Sequence, residues 1–177
     1  MKVNFTIIPF LGLDINVFQV DGIYYLTTED LIDLMDYTIT LEDLPEIQYH
    51  QFGVLTVGLV SVKWAAEHMI NPLFKSDNLG KIIKSTAHEQ FKQSYFENQI
   101  MFKALCKGFN PGEVLEYVIV KSSEYAPMYH MASFPLFNLA SNKLLMEQFN
   151  RFYSPDVKGK NYKEEIDQIF QAINPSK

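Results

Sequence analysis

The side chains of this 177-residue chain that could do chemistry are four histidines, one cysteine and a dense set of carboxylates. His50, His68, His88 and His130 lie 18, 20 and 42 residues apart. None of these gaps is the short spacing that brings two imidazoles onto one zinc ion. Glu67-His68 and His88-Glu89 are adjacent pairs, whose members point in different directions on a helix. The sequence therefore predicts no metal and no cofactor. Cys106 could pair with His88 or His130 as a nucleophilic dyad. It falls, however, near the C-terminal end of a predicted helix, where the dipole raises a thiol pKa, and Lys103 and Lys107 offset this only in part. Acid–base work by paired carboxylates needs a cleft and pKa values pushed apart, which a run of acids on one helix does not offer. Asp14 and Asp21 fit turn chemistry, and Gly108-Phe109-Asn110-Pro111-Gly112 reads as a turn, not a phosphate loop. No catalytic residue is assigned.

Charge is more informative. The net charge is −6, yet residues 1–50 hold nine acids (Asp14, Asp21, Glu29, Asp30, Asp33, Asp36, Glu42, Asp43, Glu46) against Lys2, while the other 127 residues are slightly basic. An acidic third repels phosphate backbones, and Arg151 is the only arginine available to read a base edge. Direct sequence-specific DNA binding is not expected. Lys75, Lys81, Lys84 and Lys92 make a modest basic patch that a solvated face also explains. A single cysteine excludes an intramolecular disulfide and fits a reducing compartment. With no secretory signal and no apolar run near the roughly 20 residues of a membrane span, the expectation is a cytoplasmic protein of the host cell.

The elements that must position these groups read as α+β. Val3–Phe10 is a strand ending near Pro9, Gly12 marks a turn, and Asp14–Val20 alternates as a second strand. Asp21-Gly22 before Ile23-Tyr24-Tyr25-Leu26 is the strongest hairpin signal. Thr27 then caps a helix over about 28–36, with Glu29 and Asp30 in its first turn and Leu31, Ile32, Leu34 and Met35 as its apolar stripe. A boundary near residue 48 separates this hairpin-and-helix module (1–48) from a larger mixed part (49–177) with a small sheet and about four helices, and the two are compatible with one continuous globular domain. In the larger part, Val54–Val60 reads as a buried strand with Gly58 at a bulge or close contact. A helix over Val62–Ile70 carries Trp64 towards the core. A capping box at Thr86 and Glu89 opens one long helix to Lys107. Val114–Val120, apolar on both faces, reads as a central strand pairing near Tyr129-His130-Met131. Two helices close the chain, one from Ser141 through Phe152 and one capped by Asn161 and Glu164.

Residues 5–36 resemble the N-terminal domain of phage antirepressors: an opening strand with Pro9-Phe10, a strand with Val17-Phe18, the Asp21-Gly22 turn, an aromatic strand with Tyr24-Tyr25, then the helix through Leu31–Met35. The family continues with a basic stretch. This chain continues with Leu41-Glu42-Asp43-Leu44-Pro45-Glu46, which is acidic and favours a protein-contacting role over a DNA-contacting one. The expected function is a non-enzymatic, protein-binding regulator or inhibitor of phage or mobile-element origin. Glu29, Asp30, Asp33, Asp36, Glu42, Asp43 and Glu46 would occupy a basic surface on a nucleic-acid-binding partner, with Tyr24, Tyr25 and Tyr37 as aromatic anchors. The partner would be a repressor. The alternative is an anti-defence protein, such as a CRISPR inhibitor (anti-CRISPR), bound to an immune effector. An enzyme with scattered site residues is the reading from another class. The surplus of Phe and Tyr suggests a homodimer.

Overall fold

The computed structural model of the protein describes residues 1–35, 38–44, 47–68, 78–125, Glu147 and 161–173. The chain divides into two compact units, Met1–Lys107 and Gly108–Lys177. The first is α+β. Its strands are β1 (Val3–Phe10), β2 (Leu13–Val20), β3 (Ile23–Thr27), β4 (Gln48–Phe52) and β5 (Leu55–Ser61). They form one antiparallel sheet in the order β1-β2-β3-β5-β4. The expected boundary near residue 48 is not a break in the fold. Residue 48 opens β4, a strand the sequence reading missed because its polar side chains at 48, 49 and 51 look out of the sheet core.

Both hairpin turns of the N-terminal meander have positive φ at both central residues, 51° and 82° at Leu11-Gly12, 48° and 89° at Asp21-Gly22. This is the type I′ geometry that matches strand twist. The Asp21 side chain also accepts from the Lys2 N–H at 2.8 Å, closing the far end of the β1–β2 ladder.

Alternation along β2 sends apolar groups to both faces, so the sheet must be covered twice. Ile15 and Val17 join Ile8, Leu26 and Val60 in one core with α1 (Thr28–Leu34), α2 (Val62–His68) and α3 (Asn78–Gln93). Phe18 and Val20 join Phe5, Tyr25, Phe52, Val57 and Leu59 in a second core, covered by Met101, Phe102 and Leu105 of α4 (Tyr95–Lys107). There Phe102 meets Phe5, Phe18 and Phe52 with ring centroids 5.9, 6.1 and 5.3 Å away. Such pairs contribute about 0.5–1.5 kcal/mol each beyond the area they bury.

The single helix expected from Thr86 to Lys107 is therefore two. It begins eight residues earlier, at Asn78, and breaks at Ser94. The physical reason lies in its apolar positions Ala87, Phe91, Phe102 and Leu105, which keep helical spacing. Ala87 and Phe91 serve the first core, Phe102 and Leu105 the second, so the chain must pass round the β1 edge between them. Asn98 holds the break. Its amide donates to the Gln90 carbonyl at 3.0 Å, and its Oδ1 accepts from the Thr6 hydroxyl of β1 at 3.2 Å. Trp64 is half-buried against the first core, and Ser61 caps α2 through the Trp64 N–H at 3.1 Å. α2 is described to His68, so its expected continuation to Ile70 lies outside the described residues.

The second unit corrects a further expectation. Val114–Val120 is not a strand but the middle of α5 (Pro111–Tyr125). Asn110 caps it, its Oδ1 accepting from the N–H groups of Gly112 and Glu113 at 3.0 and 3.2 Å, and Pro111 occupies the first helical position, where its missing donor costs nothing. Within the apolar run only Val114 and Val118, one turn apart, are fully buried. α5 packs on α6 (Tyr162–Ile173), whose Ile166, Ile169 and Phe170 are buried and whose start is capped by Asn161. Tyr117 donates to Asp167 at 2.8 Å between these two helices. The hairpin near Tyr129 lies outside the described residues, as does the helix from Ser141 to Phe152 apart from Glu147, which is helical.

Candidate functional site

The acidic segment is anchored from within. Thr27 caps α1, accepting from the Asp30 N–H at 3.1 Å and donating to the Asp30 carboxylate at 2.6 Å. The same carboxylate accepts from the Asn16 backbone N–H at 2.8 Å and from the Asn16 side-chain amide at 3.1 Å. Asp30 is thus a staple between α1 and β2, not a free charge for a partner. Asn16 gives no sequence signal for this role, because its pairing is fixed only when β2 and α1 meet.

Glu29 and Asp33, four residues apart on α1, are both exposed and share one face. Further on, a 3₁₀ turn at Leu41–Asp43 carries two more exposed acids. Asp43 accepts from the Thr40 N–H and from its hydroxyl, both at 2.8 Å, and those bonds, the backbone one first, hold its pKa below the usual aspartate value. Glu42 beside it is exposed. Leu31, Leu34, Met35 and Leu44 root the segment in the first core. Among the described residues, Glu29, Asp33, Glu42 and Asp43 form no ion pair with a lysine or arginine.

The tyrosines are placed differently. Tyr25 is 6% exposed and belongs to the second core. Tyr24 packs on the first core with its ring 6.2 Å from that of Phe91, and burial raises its pKa. Their side chains build the sheet. Asp36, Tyr37 and Glu46 lie outside the described residues.

A shallow cleft opens at the N-terminal end of this segment. β3 ends at Thr27 while β2 extends to Leu13 and β5 to Leu55, so beyond Thr27 no strand of the sheet lies between them. A space of about 170 Å³ there is lined by Asn16, Thr28, Glu29, Thr56 and Gly58, together with Phe18 and Leu105. Gly58 makes the expected close approach: a Cβ there would stand 3.0 Å from the Thr28 and Ile47 methyl groups.

No family model, curated protein or solved structure matches this chain. Its site must be read from its own residues. Among the described residues, no group of three or more His, Cys, Asp or Glu side chains could hold a metal ion, and no helix is long and apolar enough to cross a membrane. Cys106 packs against the second core with its thiol pushed up to about 11, chiefly by burial, which outweighs the lowering by a backbone hydrogen bond and by the Lys103 charge. His88 is exposed on α3, which covers the other face of the sheet, so the structure does not join it to Cys106. His130 lies outside the described residues. Neither Cys106 nor a histidine lines the cleft.

Proposed function

We propose that this chain is a non-enzymatic binding protein, an antirepressor-like regulator or inhibitor, whose acidic segment occupies the basic nucleic-acid-binding surface of a partner protein. The observation that carries the reading is the set of exposed carboxylates, Glu29, Asp33, Glu42 and Asp43, on backbone rooted in the core and with no lysine or arginine paired to them among the described residues. Acids already neutralised by the chain's own cations would offer a partner little. Unpaired acids on a rigid base speed encounter with a basic patch and reject polyanions. The cleft beside Glu29 extends the mechanism. The aliphatic stem of a partner lysine or arginine lies against the half-buried Leu105, while its charged end meets the Glu29 carboxylate, near the Thr28 and Thr56 hydroxyls.

The same chemistry serves against a repressor or against a CRISPR-type immune effector, since both present basic surfaces to nucleic acid. Capture from host lysate at low and high salt, with Glu29→Lys, Asp33→Lys and Glu42→Lys combined, tests the reading. Asp30 is left intact because it holds α1. The expected result is a captured nucleic-acid-binding protein that is released by salt and lost with the triple variant. Capture that survives the charge reversal would refute the acidic-face mechanism.

A further inference from the structure

The sheet's other surface of interest is the edge at β4. Its neighbour on one side is β5, and among the described residues no strand lies on the other. The β4–β5 hairpin has a two-residue loop, Gly53-Val54, with φ 62° at Gly53, so Phe52 and Leu55 close it as a hydrogen-bonded pair. Alternation then points the backbone groups of Gln48, His50 and Phe52 at β5 and those of Tyr49 and Gln51 outward. Tyr49 is 69% exposed and Gln51 is exposed as well.

We propose that a second copy of this chain pairs antiparallel on this edge about a two-fold axis at His50, joining two five-stranded sheets into one of ten. Two observations select a second copy. First, the outward groups are symmetric about His50, so Tyr49 meets Gln51 of the other copy and Gln51 meets its Tyr49, closing four hydrogen bonds with none left over. Second, the chain carries −6 overall, yet Ile47–Val62 contains no Asp, Glu, Lys or Arg, so self-pairing here brings no like charges together. The strand also lacks the lysine, proline or inward charge that usually blunts a free edge. A flexible peptide would have to lose its chain entropy to make the same four bonds, whereas the partner's β4 is already extended. The contact is small, so the dimer forms and dissociates with concentration.

Sedimentation velocity on the full chain over a range of concentrations tests this independently of the acidic face. The expected result is a rise from the 20.5 kDa monomer towards twice that mass. Gln51→Pro removes an outward donor without touching a β4–β5 bond, and it should leave the protein monomeric. Tyr49→Lys with Gln51→Lys sets like charges opposite each other in the paired register and should do the same, whereas Tyr49→Lys with Gln51→Glu sets opposite charges there and should restore the dimer. The lysine and glutamate variants decide the matter even if the proline variant fails to fold. A monomer at every concentration, which would leave the edge to some other strand, overturns the proposal. So does a dimer indifferent to all three changes.

Discussion

The two edges of the sheet are protected in opposite ways. β1 is long, carries Pro9, and lies inside the bend by which α3 and α4 cross from one face to the other, with Thr6 tied to Asn98. β4 is short and uncharged, and its hairpin tip is what holds it. Val54 donates to the Cys106 carbonyl at the end of α4 at 2.8 Å. Gly53 packs so closely there that an added Cβ would overlap that carbonyl oxygen. One edge is closed by helices wrapped round it, while the other has its tip pinned to α4 and, among the described residues, no strand beyond it. The difference locates where the unit can afford no change and where it can meet another chain.

The largest effect that separates the edges is expected at the turns. Gly53→Ala should cost about 2–4 kcal/mol, because it combines a left-handed backbone with collision at Cys106 and loss of the Val54 bond. Gly22→Ala has the same backbone penalty, but nothing lies within 4 Å of its Cβ, so it should cost only about 1–2 kcal/mol. Urea unfolding of the two variants measures the gap, and equal losses would mean that the tip is not pinned.

Next comes the closed edge. Asn98→Ala strips the Gln90 carbonyl and the buried Thr6 hydroxyl of a partner and should cost about 1–3 kcal/mol. A smaller loss would mean that the α3–α4 bend holds β1 without this bond.

Cys106 reports on the pinned tip through pH. Its folded pKa of about 11 lies above the ordinary 9.0, so the unfolded thiol ionises first. This contribution to stability is complete below pH 9 and falls away as pH rises towards about 11. Wild type should lose more stability across that window than Cys106→Ala, and alkylation of the native thiol should lag that of the unfolded chain over the same range. The smallest effect is expected from reversing Glu29, Asp33 and Glu42, whose exposed side chains should change stability by no more than about 0.5 kcal/mol each.

Much of the first unit is legible in the sequence, where the signal is local. Asp21-Gly22 specifies its turn, Thr27 its cap, and Val54–Val60 a strand because β-branched residues are bounded by turn chemistry. What misleads is apolar content on both sides of an element. Val114–Val120 satisfies a buried strand and a buried helix equally, and only the Asn110-Pro111 start, which the sequence presents as part of a turn, favours the helix. The break at Ser94 has no local signature, because the stripe keeps helical spacing while its two halves serve opposite faces of the sheet. The acidic segment shows the same limit. Its charges are plain in the sequence, but that Asp30 is a staple and that Tyr24 and Tyr25 are core depends on contacts from β2 and from the helices above.

In the proposed mechanism the acidic segment competes with nucleic acid for a partner's basic surface. The direct measurement is fluorescence anisotropy of labelled nucleic acid bound to the captured partner, titrated with this chain and with the Glu29→Lys, Asp33→Lys, Glu42→Lys variant. Competition releases the label in step with binding of the wild type, and the release should weaken with salt and be lost with the variant. A ternary complex in which nucleic acid stays bound while this chain binds would contradict it.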